Sequence, residues 1–369
     1  MTRREVLTSI CRDKRCPERM GLFEWFWQDT QAEWETQGLP PGIDPVAYFG
    51  HDIREIKGSM FRVTGRPVDD VVIEDNGETV VKRNGWGALH REWKSKPGVP
   101  EHLGFELTGR RVWEREFRDR LLVLDRDRFS DWNGLKAAYA SAMAEDRFAV
   151  YQQMLVVEIM RRAMGDVVFL ESMLLDPAWI RDFCSVVTGS IILHLDHMIS
   201  EIGKPDGLWT YDDMGYTRAP FFSPAMYREF IFPCHRRIAD FCRDHGLPFI
   251  LHACGYIRPF LQDLWKAGVD VLHPLEAKSG QDIAEFSEAV RAWGGEMAFA
   301  GNMDIRAFES NDPMVLEAEL LPKLEAIRKK RIPYIFMSDH SIPKTVRLET
   351  YERALALLDR YGDYAGEQG

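Results

Sequence analysis

The chain contains the stretch Leu247-Pro248-Phe249-Ile250-Leu251-His252-Ala253-Cys254-Gly255. A short apolar run bounded by proline and glycine is typical of a buried strand in a parallel sheet. His252 and Cys254 are two residues apart, so they leave the strand on one face, with backbones about 6–7 Å apart. Side chains at this spacing can hold one zinc-type ion, although both residue types are also common in protein cores without a metal.

Strand and helix patterns alternate on both sides of this stretch. The sequence predicts strands at 149–151, 207–211, 247–252, 269–273, 297–300 and 334–337. It predicts helices at 176–202, 223–245, 256–267, 281–293, 312–330 and from about 346. Such alternation indicates parallel strands with helices outside, and further units in the first half would complete eight strands. We therefore expect an α/β fold of the (β/α)8 TIM-barrel type, with a helix at residues 3–12 closing one end.

One segment interrupts this alternation. Between about residues 60 and 108 the pattern changes to period two, as in Met60-Phe61-Arg62-Val63 and Val71-Val72-Ile73-Glu74, and Asn76-Gly77 is a hairpin turn signal. We expect an N-terminal β-hairpin insertion here. Since barrels of this size commonly form one unit, the whole of residues 1–369 is expected to be a single domain.

Composition narrows the class of protein and its partners. The 45% apolar and 28% charged residues are typical of a globular protein with a large core, and the net charge of −11 argues against nucleic-acid and membrane partners. No apolar run approaches the roughly 20 residues of a membrane span. Six cysteines without framework spacing predict a reducing, cytoplasmic location. A small-molecule substrate is expected, and the charged helices at 312–330 and 346–361 are a candidate homodimer face.

Candidate site residues follow from the barrel itself, because active sites of such barrels lie at the C-terminal ends of the strands. The rule selects Asp212, Asp213, His252, Cys254, His273, Glu276, Asn302, Asp304, Ser338, Asp339 and His340. Acids, imidazoles and a thiol together are typical of a transition-metal site or of an acid/base site. The substrate pocket is predicted to include Trp25, Trp27, Asp212, Tyr216, His273 and Asn302, although aromatic residues of this segment could equally be core.

Several motifs resemble the uroporphyrinogen decarboxylase superfamily. They are Asp212-Asp213, Phe222-Ser223-Pro224, His252-x-Cys254-Gly255, Pro274-Leu275-Glu276, Gly301-Asn302-Met303-Asp304 and His340-Ser341-Ile342-Pro343. The aromatic segment Trp25-Phe26-Trp27 is similar to an uncharacterised branch of the superfamily. The resemblance implies a (β/α)8 barrel, in agreement with the alternation of strands and helices.

The resemblance to the decarboxylases themselves is incomplete. These enzymes meet the carboxylates of a tetrapyrrole with an arginine-rich loop, whereas the matching residues 22–38 contain no arginine. Asp213 stands at the position of a family serine, where it would repel substrate carboxylates. His340 matches the decarboxylase histidine and Asp52 the catalytic aspartate, so a carboxy-lyase acting on a tetrapyrrole or other small carboxylate is the alternative function.

The corrinoid-linked methyltransferases of the superfamily hold zinc with a His-x-Cys pair and a later cysteine. His252 and Cys254 match the pair, no cysteine follows Cys254, and His340 stands at the third position. Asp339 and Glu276 are further candidate ligands. The resemblance implies a zinc-dependent methyltransferase that moves a methyl group between a small molecule and a thiol or a corrinoid carried by a partner protein. Asp213, His340 and Asp52 are the candidate catalytic residues.

Overall fold

The structure is a computed structural model that describes residues 1–64, 70–95 and 100–364. Its strands, numbered along the chain, are β1 Gly21–Leu22, β2 Ile53–Glu55, β3 Val71–Asp75, β4 Thr79–Arg83, β5 Leu89–Trp93, β6 Glu101–Gly104, β7 Phe148–Met154, β8 Gly207–Tyr211, β9 Phe249–His252, β10 Val271–His273, β11 Ala298–Ala300 and β12 Tyr334–Phe336. Eight of them form one sheet in the order β1-β12-β11-β10-β9-β8-β7-β2, and every registered pair is parallel. This architecture confirms the TIM-type barrel.

The ring is completed between β1 and β2 by Asp52, which directly precedes β2. Its backbone N–H donates to the Leu22 carbonyl at 2.7 Å, and its carboxylate accepts the Leu22 N–H at 2.8 Å. Arg19 donates two further hydrogen bonds to the same carboxylate, at 2.7 and 2.8 Å. Asp52 is fully buried, so this ion pair closes the barrel where the strands themselves form no ladder.

Helices surround the sheet. They are α1 Arg3–Leu7, α2 Gln28–Thr36, α3 Pro45–Tyr48, α4 Arg110–Val112, α5 Trp132–Ala144, α6 Val156–Leu175, α7 Pro177–Glu201, α8 Pro224–Met226, α9 Phe232–His245, α10 Leu261–Ala267, α11 Ile283–Ala292, α12 Ile305–Glu309, α13 Pro313–Lys329 and α14 Leu348–Tyr361. Thr2 caps α1, and a π-helical turn at Thr8–Arg12 extends it. Val6, Leu7 and Ile10 pack into the barrel interior, which confirms a helix that closes one end.

The barrel interior is built in layers, because residues two apart on a strand point to the same side. One layer is apolar and contains Ile53, Val150, Trp209, Ile250, Val271 and Ile335. Two residues further along five of these strands the side chains are polar, and they are Glu55, Gln152, Tyr211, His252 and His273. We call this second set the upper layer. It lies at the C-terminal ends of the strands, at the mouth of the barrel.

The remaining strands form an antiparallel sheet in the order β3-β4-β5-β6. Asn76-Gly77 joins β3 to β4, as the turn signal predicts. The prediction of a strand at Met60–Val63 is wrong. Phe61 and Val63 are buried on either side of the exposed Arg62 because they pack one face into the main core, and they pair with no strand among the described residues. Residues 65–69 and 96–99 of the predicted insertion lie outside the described residues.

Helix α7 qualifies the expectation that no run is long enough to span a membrane. Its 25 residues have a window of mean hydropathy 1.3, so by length and composition alone this helix could cross a bilayer. In the fold, however, 56% of that window is buried against the rest of the protein. Ile180, Phe183 and Ile191 belong to the main core. The apolar character of α7 is thus accounted for by packing.

Candidate metal centre at the barrel mouth

Three potential metal ligands converge just beyond strands β8 and β9. His252 ends β9, and its Nε2 lies 3.1 Å from Cys254 Sγ and 3.5 Å from Asp213 Oδ1. The Cys254 backbone N–H also donates to Asp213 Oδ1, at 2.8 Å. Among the described residues, this is the one group of three or more His, Cys, Asp or Glu ligand atoms that all lie within 4.8 Å of one another. We call these three residues the donor triad.

The two neighbouring aspartates at the end of β8 have different surroundings. Asp212 is fully buried and accepts the Val157 N–H at 2.7 Å, the Glu158 N–H at 3.1 Å and a hydrogen bond with His235 at 2.8 Å. It therefore fixes the first turn of α6 to the barrel. The next residue, Asp213, faces the site instead, so Asp212 does not line a substrate pocket as predicted.

Close backbone contact sets the position of Cys254. Gly255 has φ +82°, in the left-handed region that favours glycine, and a Cβ there would lie 2.0 Å from the Gly215 carbonyl oxygen. The loops that follow β8 and β9 thus pass in direct contact. This contact brings Cys254 beside Asp213, and only a residue without a side chain permits it.

Burial favours the uncharged forms of Cys254 and His252. It raises the pKa of Cys254 well above its ordinary value, and the negative charges of Asp213 and Glu276 add to this effect. Burial likewise lowers the pKa of His252, and lowers that of His273 well below the usual range. A bound cation would favour the thiolate, because the positive charge would offset the burial cost and the neighbouring carboxylates.

His252 is held from its other side by a second imidazole. Its Nδ1 lies 2.8 Å from Nδ1 of His273, the last residue of β10. The Trp25 ring contacts both histidines, with centroid distances of 6.0 Å to His252 and 5.3 Å to His273. His273 and Trp25 therefore belong to the mouth, and their contact with the substrate stays a prediction.

The upper layer also contains residues that sequence reasoning missed. Trp25 Nε1 donates to Glu55 Oε1 at 2.7 Å, and Gln152 Nε2 donates to the same oxygen and to Tyr211 Oη. The signal in the sequence is the spacing along the strand, because each of these residues lies two places after an apolar residue that points into the barrel. Sequence alone does not identify Glu55, because strand β2 has only three residues and is too short to show an alternation of apolar and polar residues.

Of the predicted third zinc ligands, Asp339 is directed away from the donor triad. Both Asp339 oxygens accept backbone N–H groups, from Ala277 and from Ile305, each at 2.9 Å. Asp213 occupies the third place in the donor triad, so the prediction of Asp339 as a ligand is corrected. Glu276 is buried beside the Cys254 thiol, and its Oε1 accepts the Gly255 N–H at 2.9 Å. The half-exposed His340 lies at the rim, with Nε2 4.0 Å from that oxygen.

Other predicted residues lie outside the mouth. Asn302 is buried and its amide donates to the carbonyls of Leu275 and Gln281, so it holds a loop. Trp27 and Tyr216 are 48% and 56% exposed and do not line the upper layer. Asp52 precedes β2 at the opposite end of the barrel, where its carboxylate is occupied by Arg19 and Leu22. That position corrects its prediction as a catalytic residue.

Two surface grooves lie away from this centre. One of about 420 Å³ is lined by residues that include Asp304 and Arg306, and one of about 660 Å³ by residues that include Arg4. Arg306 pairs with Asp304, and Arg4 pairs with Asp206. These charged groups already form ion pairs. The barrel mouth is therefore the stronger candidate for the functional site.

Comparison with known proteins agrees with this architecture. The family model described as uroporphyrinogen decarboxylase (URO-D) matches residues 158–361. No curated protein matches the chain. Among solved structures, the fold is similar to that of a methyltransferase from Methanosarcina mazei, with a TM-score of 0.62 and 12% identity over 98% of this chain and 99% of that one. At this identity the likeness concerns the fold.

Proposed function

Because this chain belongs to the uroporphyrinogen decarboxylase family, we propose that it is a zinc-dependent methyltransferase that moves a methyl group between a small molecule and a corrinoid protein or a thiol. The observation that supports this most strongly is the donor triad of His252, Cys254 and Asp213 at the barrel mouth. The structural similarity to a methyltransferase over nearly the whole length of both chains supports the same choice.

The donor triad fits zinc in its spacing and chemistry. Zinc bonds of about 2.0–2.3 Å place neighbouring ligand atoms of a tetrahedron about 3.3–3.7 Å apart. The Nε2–Oδ1 separation is 3.5 Å, the Nε2–Sγ separation is 3.1 Å, and all three ligand atoms lie within 4.8 Å of one another, close to these values. One imidazole, one thiolate and one carboxylate leave the fourth position open for a substrate atom.

The residues of the chain have separate tasks in this proposal. Zinc in the donor triad would supply a Lewis acid that favours a substrate thiolate or a better leaving oxygen. Asp213 holds the Cys254 backbone and brings a negative charge to the site. His252 presents Nε2, while its Nδ1 is held by His273. Trp25 and Tyr211 cover His252 with aromatic surface, with the Tyr211 ring centroid 5.4 Å from that of His252, and limit the access of water.

The proposal extends to partners and location. The corrinoid would be carried by a partner protein that docks at the mouth, and the six free cysteines favour the cytoplasm. Helices α13 and α14 remain the proposed homodimer contact.

Metal content tests the proposal. Protein purified without chelator should hold about one equivalent of zinc, and Cys254→Ser should lose most of it. Cys16→Ser is the matched control, because Cys16 is also a half-buried free cysteine but lies outside the donor triad. Wild-type zinc below about a tenth of an equivalent, with activity unchanged in Cys254→Ser, would exclude the zinc mechanism.

A carboxy-lyase is the second candidate, favoured by the description of the matching family model and by the half-exposed His340 at the rim. It predicts conversion of uroporphyrinogen to products with fewer carboxylates, without dependence on zinc. Mass spectrometry of the incubated substrate distinguishes it, and unchanged uroporphyrinogen removes this candidate.

A further inference from the structure

Three side chains of the upper layer have hydrogen-bonding capacity that the described residues leave unused. Trp25 Nε1 and Gln152 Nε2 both donate to one oxygen of Glu55, Oε1, so Oε2 has no partner among the described residues. Tyr211 Oη accepts from Gln152, which leaves the hydroxyl proton of Tyr211 free to donate. Gln152 Oε1 likewise accepts no hydrogen bond from the residues that the structure describes.

The carboxyl group of Glu55 forms no ion pair with any cation in the part of the chain that the structure describes. Burial raises its pKa. The neighbouring Arg54 points away and is paired with Asp44 and Glu145. The group therefore offers no cation to pair with a substrate carboxylate, and its buried position makes any charged ligand costly to bind here.

We propose that Glu55, Gln152 and Tyr211 form a subsite that binds an uncharged hydroxyl group of the substrate, with the adjoining apolar part of that molecule lying on Trp25. A hydroxyl both donates and accepts, so it can pair with Glu55 Oε2 and with the Tyr211 proton together. The inference rests on the proposed function only in treating the bound molecule as the methyl-transfer substrate. The binding chemistry itself involves no metal.

Small aromatic probes test the subsite in the full-length, metal-free protein. Phenol carries the hydroxyl, anisole lacks its proton, benzoate is an anion and benzylammonium is a cation. Calorimetric titration should show saturable phenol binding that is about three- to tenfold tighter than anisole binding, the range expected for one neutral hydrogen bond. Benzoate and benzylammonium should bind more weakly than phenol.

Substitution assigns this preference to the subsite. Glu55→Gln replaces the free acceptor Oε2 by an amide donor and should abolish the preference for phenol over anisole. Tyr211→Phe removes a donor that the oxygen of either probe can use and should weaken the binding of both. Tyr48→Phe is the matched control, since Tyr48 is 49% exposed on α3 and should leave the binding of both probes unchanged. Far-ultraviolet circular dichroism verifies that all three variants fold.

Several results would overturn the subsite. They are no saturable phenol binding, equal binding of phenol and anisole, tightest binding of benzylammonium, or a preference that survives Glu55→Gln. Failure of the zinc proposal gives a different result, namely loss of metal binding with the phenol preference retained.

Discussion

His252 and His273 can hold only one proton between their Nδ1 atoms, which lie 2.8 Å apart. If His252 offers Nε2 to zinc, its own proton must be on Nδ1 and must be donated to His273. His273 then accepts at Nδ1 and carries its proton on Nε2. His273 is thus a positioning residue that fixes the tautomer of a metal ligand, a task usually performed by a carboxylate or a carbonyl.

Replacement of His273 should separate this task from simple packing. Asparagine can place an acceptor close to the former Nδ1, whereas leucine cannot. We expect His273→Leu to weaken zinc binding about 10- to 100-fold in chelator competition, and His273→Asn to restore most of the affinity. Nitrogen-15 NMR of labelled histidines should show His252 protonated on Nδ1 in the wild type. Equal affinities for the leucine and asparagine variants would contradict the assigned role.

Paired aspartate variants test the third ligand. Asp213→Asn should reduce zinc affinity strongly. The loss should exceed the about 10- to 100-fold loss that is typical when a residue that only supports a metal ligand is replaced. Asp339→Asn should retain zinc but lower the free energy of unfolding by about 1–3 kcal/mol, because one backbone N–H of Ala277 or Ile305 loses its acceptor. Zinc content and urea unfolding measure the two effects. The reverse pattern would restore Asp339 as the ligand.

Glu24 should make stability depend on pH. Its oxygens accept the N–H groups of Trp25 and Ser338, and burial raises its pKa from about 4.5 to about 8. Between these values the folded state retains a proton that the unfolded state has lost. The contribution is therefore fully present below pH 4.5 and is lost as pH rises towards 8, by at most about 1.4 kcal/mol per pH unit.

The variant Glu24→Gln removes this ionisation. Its stability relative to the wild type should therefore rise from pH 5 to pH 8, which chemical denaturation at a series of pH values can follow. A stability difference that stays constant over this range would show that Glu24 does not titrate there.

Asp52 should affect the fold and leave the site intact. Asp52→Asn removes the charge that pairs with the 38% exposed Arg19 and weakens the link to Leu22, so we expect a loss of about 1–3 kcal/mol of unfolding free energy. Zinc content and substrate turnover of the folded variant should remain at wild-type level. Loss of turnover in fully folded protein would return Asp52 to the catalytic residues.

Gly255→Ala should destabilise the loop that carries Cys254. A Cβ would lie 2.0 Å from the Gly215 carbonyl oxygen, so backbone must shift, and we expect a cost of about 3 kcal/mol together with weaker zinc binding. Gly246→Ala is the control. Gly246 also has positive φ, +65°, but a Cβ there meets nothing within 4 Å, so only the conformational cost of about 1 kcal/mol remains. Equal losses would show that the close contact is unimportant.

The sequence predicts the second half of the barrel well. Strands β8 to β12 are short apolar runs followed by recognisable helices, and each lies within two residues of its predicted place. Strands β1 and β2 were not recognised, because segments of two and three residues are too short to show any periodicity. Their places are determined by pairing with β12 and β7, which is information held elsewhere in the chain.

The site is predictable only in part, for a geometric reason. Strand ends identify Asp212 and Asp213 together, but adjacent residues point to opposite sides, and sequence does not tell which one faces the mouth. The structure places Asp212 against α6 and Asp213 beside Cys254. Asp339 fails as a predicted ligand for a related reason, since its two oxygens are already occupied by backbone groups that are distant in sequence.

The layered interior has a consequence for how such proteins diverge. The polar residues Glu55, Gln152 and Tyr211 each lie one step above an apolar residue that holds the barrel together. Exchange of an upper-layer residue can alter the chemistry at the mouth while the supporting apolar layer is left untouched. A barrel built in this way can acquire a new reaction through a few substitutions, which is consistent with a shared architecture at only 12% identity.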